Sequence, residues 1–180
     1  MDGLLLGLSI AFPVAYVVLA VATQNVLVSF FAFTTIGFIV SSVLGVCFLL
    51  GWDLGAKESI CGVVVIGLSV DYTIHLGHMY DHARTLGHQR RDAKFEYAMT
   101  KMGETVLAGA VTTAGACAFL LACQVTFFTS MGQLILITIA LSCAFALFFF
   151  MPLLRLAGPE HSQGNICAAY LAAKRRLTSA

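Results

Sequence analysis

Five apolar stretches, each close to the length of a bilayer crossing, constrain this chain more than any other feature. They run from about Leu4 to Ala22, Val26 to Leu50, Ser59 to Tyr80, Thr105 to Val125 and Met131 to Leu154. About 20 apolar residues in a helix cross a hydrocarbon core of about 30 Å. A soluble fold would need polar faces to cover five such helices. The sequence has too few: 59% of its 180 residues are hydrophobic, 11% are charged and the mean hydropathy is +0.92, well beyond an ordinary soluble domain. The reading is an all-α, polytopic transmembrane helix bundle of five spans over residues 1–156, followed by a cytoplasmic tail over 157–180.

The breaks at Gln24-Asn25 and at Thr126 to Ser130 are short, so the spans on either side of each must be antiparallel hairpins. Gly51 and Gly55 break the chain between the second and third spans, and Trp52 suits the membrane interface. The first stretch reads as a span rather than a signal peptide, because no basic segment precedes it and a second apolar run follows at once. Cys47, Cys61, Cys117, Cys123, Cys143 and Cys167 have no paired short spacing of the kind that builds a disulfide framework or a zinc knuckle, and read as small packing residues.

Orientation follows from the cations. Arg84, Arg90, Arg91, Lys94 and Lys101 lie between the third and fourth spans, and Arg155, Lys174, Arg175 and Arg176 follow the fifth; Lys57 alone is opposite. The positive-inside tendency makes the 81–103 loop and the C-terminus cytoplasmic and the N-terminus extracytoplasmic. A formal net charge of +1, with its cations explained by topology, argues against a nucleic-acid partner. Within the loop, Phe95, Ala98, Met99 and Met102 recur at helical spacing among Arg90, Arg91, Lys94 and Lys101. That pattern predicts a short amphipathic connector at about 89–102, lying on the inner leaflet.

The third span holds the chemistry. In "GLSVDYTIHLGHMY" (67–80), Asp71 lies roughly 18 Å along the axis from Ser59 and roughly 14 Å from Tyr80, near mid-membrane, and no other span carries an acid in its interior. A charge there costs about 2.5 to 3.5 kcal/mol on insertion scales, which marks an intramembrane ionisable residue as a candidate functional site. Such a carboxyl can load and release a proton or offer oxygen ligands to sodium. The plainer reading is a neutral Asp tying helices together.

At 100° per residue, Gly67, Asp71, His75, His78 and His82 fall within about 80° of one another, a stripe from mid-membrane to the cytoplasmic end. Gly67 leaves room beside the carboxyl for a helix or water. The histidines can relay protons, since imidazole titrates near neutral pH; His78 and His82 also fit simple snorkelling to the interface. On the fourth span "LAGAVTTAGACA" (107–118) allows close packing, and Thr112 and Thr113 bring hydroxyls to the depth of Asp71.

Gly67-x-Ser69-Val70-Asp71-Tyr72-x-x-His75 resembles the helix signature of resistance-nodulation-division transporters, in the eukaryotic branch of Dispatched-, Patched- and Niemann-Pick-like proteins with sterol-sensing or MMPL-type membrane domains. The resemblance continues through the basic connector, "GAVTTAGA", "VTFFTSMGQLILITIALSCAFALFFFMPLL" and "LLRLAGPEH", and is strongest with the C-terminal half of a Dispatched-like protein. It implies half of a transporter membrane domain, in which Asp71 carries the proton or sodium ion that drives export of lipid, sterol or lipid-modified substrates, with weaker transfer to Gly67 and His75. It also implies two such halves and large extracytoplasmic domains. Five spans without them read as a fragment, whose partners are the bilayer and either the remaining half or further copies of itself, with a sterol or lipid as substrate.

Two other classes stay open: a non-transporting sterol-sensing regulator, and a carrier holding metal on His75, His78 and His82. Asp71 and His82 are about 16 Å apart along the axis, so the stripe cannot ligate one metal ion, and no resident metal or cofactor is expected. An enzyme is not expected either. An intramembrane aspartyl protease needs two opposed aspartates, and a serine protease needs a histidine on a helix other than that of Ser69.

Overall fold

A computed structural model describes residues 2–51, 56–87 and 89–159. The expectations for Trp52 and Gly55, and for the tail beyond residue 159 with Cys167, Lys174, Arg175 and Arg176, lie outside the described residues. So do those for the side chains of Lys57 and Cys61.

The described chain is helical throughout, with seven α-helices: α1 (Asp2–Thr23), α2 (Val26–Leu49), α3 (Ala56–Thr85), α4 (Arg91–Ala98), α5 (Glu104–Leu121), α6 (Thr126–Phe145) and α7 (Met151–Ala157). A π-helical turn, Met99–Gly103, joins α4 to α5, and a second, Ala146–Phe150, joins α6 to α7. Val26–Leu49, Arg91–Leu121 and Thr126–Ala157 are long and apolar enough to cross a membrane; Ser9–Thr23 is a shorter apolar helix, and α3 carries the polar stripe. The result is an all-α membrane helix bundle.

The turn between α1 and α2 is made by two residues. Gln24 takes a left-handed φ of 53°, and Asn25 caps α2, its side chain accepting a hydrogen bond from the Leu27 N–H at 3.1 Å. That reversal zips α1 against α2 through Phe12 and Tyr16, both edge-on to Phe33 at 5.6 and 5.5 Å. Helix α1 lies parallel to α3: Gly7 is beside Val63 at one end, and Thr23 beside Gly77 at the other. Helices α5 and α6 form the second hairpin. They approach closely at Gly132, where an added Cβ would sit 2.8 Å from the Leu120 Cβ.

The core runs down α2 and the inner faces of its neighbours, with Leu19, Val28, Ala32, Ile36, Ile39, Leu76, Tyr80, Phe150 and Leu154 fully buried. Outward from it point Ile10, Val17, Val21, Phe30, Phe48, Val111, Phe119 and Phe148. Such a surface suits hydrocarbon and would be expensive in water.

The connector departs from the expected leaflet-lying helix. Its apolar side packs on protein: Ala98 is buried, and Phe95, Met99 and Met102 pack against the core. Lys94, expected among the surface cations, is 1% exposed. Its Nζ donates to the Pro159 carbonyl at 2.9 Å and sits 5.6 Å from the centroid of the Tyr80 ring. The neighbouring bonds run the same way. Arg91 donates to the Leu156 carbonyl at 2.9 Å, Arg155 pairs with Asp92 at 2.8 Å, and the Tyr80 hydroxyl donates to the Leu154 carbonyl at 3.1 Å. Helical periodicity fixes which side of a segment is apolar, but not whether lipid or protein covers it. Here the ends of α3 and α7 do.

Candidate functional site

Helix α3 carries its polar residues on two sides. The inner side is sealed: Ser69 and Thr73 are fully buried, and each donates back to a carbonyl of the preceding turn, Val65 at 2.7 Å and Ser69 at 2.7 Å. The Ser69 Oγ also lies 3.0 Å from the Oγ of Ser142, itself fully buried on α6. This interhelical hydroxyl pair pins α3 to α6 at the depth of Asp71. Sequence reading missed it, because a single serine in an apolar helix gives no sign of its partner.

The outer side carries Asp71 and His75. Both line a cleft of about 260 Å³ between α3 and the stretch that runs from the π-turn into α5, with Tyr72, Met102, Thr105 and Thr113 among its walls. Tyr72 is buried next to Asp71 in the chain and faces the cleft together with Thr113. Asp71 itself is exposed along the cleft, and among the described residues its carboxyl makes no hydrogen bond or ion pair. Helix α5 takes its close packing from α6 rather than from α3, which is why the cleft exists.

The other expected site residues divide. Thr113 lines the cleft, while its hydroxyl donates to the Gly109 carbonyl at 2.8 Å. Thr112 bonds the same carbonyl at 2.9 Å from an exposed position and is not among the lining residues. Gly67 lies on the neighbouring surface, where it lines an apolar groove of about 460 Å³ between α1 and α3 together with Gly7, Val14, Val63 and Val70. His78 and His82 are exposed and stack on each other, ring centroids 6.2 Å apart. They do not line the Asp71 cleft. Among the described residues, no group of three or more His, Cys, Asp or Glu side chains is placed to hold a metal ion.

A second acid is more enclosed than Asp71. Asp81, 8% exposed at the end of α3, accepts a hydrogen bond from the Asn25 Nδ2 at 3.2 Å and lies 3.7 Å from Arg84. Thr23 and Ser29 complete the cluster, with their hydroxyls 2.8 Å apart. The capping residue of α2 is thereby tied to α3, and the carboxylate is satisfied by its neighbours. This is what buried structural acids require, and it contrasts with the unpaired Asp71.

The comparisons with known proteins agree with this architecture. A family model described as the MMPL family matches residues 2–177. Protein dispatched homolog 1 of Mus musculus is 33% identical over 165 residues, 92% of this chain and 11% of that protein. Its Homo sapiens counterpart is 32% identical over 165 residues, with the same coverage of each. Protein dispatched of Drosophila melanogaster is 32% identical over 156 residues, 86% of this chain and 12% of that protein. The chain thus spans only 11% to 12% of the length of these curated relatives.

Proposed function

This chain belongs to the MMPL family, and on that premise we propose that it is part of the membrane domain of an ion-gradient-coupled exporter of lipid, sterol or lipid-modified substrates. It is an integral membrane protein, similar along most of its length to proteins of the Dispatched group. One observation supports the coupling role above the rest. Asp71 has no protein partner among the described residues, yet it lines a cleft between helices. A carboxyl kept only to tie helices together would have spent its hydrogen bonds on them, as Asp81 does.

In the mechanism we propose, a proton or a sodium ion enters the cleft and binds the Asp71 carboxylate, with Thr113 and His75 among the polar walls. Binding removes a charge whose presence in hydrocarbon is costly. The two loading states of Asp71 then favour different spacings of α3 and α5, and that difference drives the cycle. His78 and His82, stacked toward the connector end, are our proposed proton path. Thr112 and Gly67 are assigned supporting places, the first bonded to the same carbonyl as Thr113 and the second in the adjoining groove.

We take the connector and the C-terminus as cytoplasmic, from the cation distribution. The stripe of Asp71, His75, His78 and His82 is exposed in this bundle, and such side chains are rare against lipid. Further helices of a longer chain, or a second copy of this one, are therefore its proposed cover.

The test is flux. With the full-length protein in vesicles under an imposed proton or sodium gradient, Asp71→Asn is expected to abolish gradient-driven substrate release while leaving the protein folded and inserted. Undiminished release would overturn the proposal. A sterol-dependent response that survives with no flux in either protein would favour a regulator.

A further inference from the structure

We propose that His78 and His82 form a two-histidine site for a divalent transition-metal ion of the zinc type at the connector end of α3, and that the ion is regulatory rather than resident. Binding stands on the geometry of the pair alone. Its consequence, a block of proton movement, rests on the reading of these histidines as a proton path. Binding and block are therefore measured separately, and either can fail alone.

Residues four apart on a helix lie on one face, one turn above the other. His78 and His82 are so placed, and their rings are nearly parallel, 20° apart in plane with centroids separated by 6.2 Å. Snorkelling alone would set no relation between the two rings. Both side chains are exposed, and among the described residues neither ring is hydrogen-bonded or ion-paired, so their nitrogens are open to a ligand. The carboxylate between them in the chain does not compete. Asp81 is turned inward to Asn25 at 3.2 Å and to Arg84 at 3.7 Å, which also keeps that cation occupied.

Distances fit zinc after a small adjustment. With Zn–N bonds of about 2.1 Å in tetrahedral geometry, two imidazole centroids stand about 5 Å apart. The rings must close by about 1 Å, which exposed side chains do by rotamer motion. One rigid helix holds both ligands in register, so little freedom is lost on chelation. Imidazole is a preferred ligand of zinc and copper among divalent ions. Two ligands leave two positions for water or for a group on whatever helix covers the stripe.

The location gives the ion its effect. Along the axis His78 lies about 3 Å before Tyr80 and His82 about 3 Å beyond it, so the pair straddles the end of the apolar run, within reach of ions in water. His75, about one turn further in, lines the Asp71 cleft instead. A nitrogen that coordinates a metal must first be free of its proton and cannot take one up while the metal is bound. An ion on the pair therefore closes the route to His75 and Asp71.

The experiment titrates zinc chloride into the full chain, its histidine rings labelled with nitrogen-15, in lipid nanodiscs, and follows the ring nitrogens by magnetic resonance. Of the five histidines, those of His78 and His82 are expected to move together to zinc-bound positions, to saturate at one ion per chain and to return on adding a chelator. His78→Gln and His82→Gln, both at exposed positions, should each abolish the response of the remaining ring at that zinc concentration, whereas His75→Gln should leave it intact. Rings that move independently, a response of the remaining ring that survives either substitution, or loss of the response in His75→Gln would overturn the site. In vesicles holding the full-length protein, zinc should suppress proton-driven release, and a chelator should restore it. Release that continues with the pair saturated would leave the site standing and remove the proton path.

Discussion

Replacing Gly132 with alanine tests the packing on which the cleft depends. The new Cβ would sit 2.8 Å from the Leu120 Cβ and 3.4 Å from the Cys117 carbonyl oxygen. Carbon atoms in contact prefer about 3.5 to 4.0 Å, so α5 and α6 must part by about 0.7 Å or more. Neither obstacle is the free end of a flexible side chain. Overpacking of this kind costs about 1 to 3 kcal/mol. Against it stands the helix-propensity gain of alanine over glycine, about 1 kcal/mol at most, and less where the unfolded chain stays helical in detergent. The net expectation is a loss of about 0 to 2 kcal/mol.

Gly115→Ala on α5 is the control. Nothing lies within 4 Å of its added Cβ, so it should be neutral or gain up to about 1 kcal/mol. The assay is equilibrium unfolding in bicelles titrated with dodecyl sulfate, followed by near-ultraviolet circular dichroism. Gly132→Ala proving as stable as Gly115→Ala would refute the close approach of α5 and α6, and with it the idea that α5 is held by α6 and stands off α3.

Other consequences follow from the same geometry. Gly158→Ala drives a methyl group into the Leu154 carbonyl and the Tyr80 hydroxyl; it should cost about 1 to 3 kcal/mol in the same unfolding titration. Tyr80→Phe keeps the buried ring but leaves the Leu154 carbonyl without that donor. A loss of about 0.5 to 1.5 kcal/mol is expected, with the connector becoming easier to cleave by protease. A double-mutant cycle between Ser69→Ala and Ser142→Ala should return a coupling of about 0.6 kcal/mol, the average for hydrogen bonds between membrane helices. Zero coupling would remove that pair as a link between α3 and α6.

Much of the architecture could be read from the chain alone, for physical reasons. Apolar runs near bilayer length can satisfy their backbone only as helices, and the Gln24-Asn25 break announces the hairpin turn, while the cap that Asn25 makes on α2 is seen only in the fold. Asp71 stood out because its charge conflicts with its surroundings. Partnership was less legible. Ser69 and Ser142 lie 73 positions apart, and nothing local signals that they meet. Gly67 is one helical turn from Asp71, yet it lines the surface toward α1, since a 40° offset is enough to separate two grooves. The pattern at Phe95, Ala98, Met99 and Met102 identified an apolar face, but only the fold shows that α3 and α7 cover it and that Lys94 is enclosed there. The π-turns left no sequence mark at all.

The central claim is that Asp71 takes up and releases the coupling ion. Infrared difference spectroscopy of the full chain in bilayers, stepping pH and sodium concentration, observes that carboxyl directly. The account predicts a carboxyl band that responds to one of the two ions and is missing from the Asp71→Asn protein. A difference spectrum that is the same in parent and Asp71→Asn, with both folded in the membrane, would contradict it.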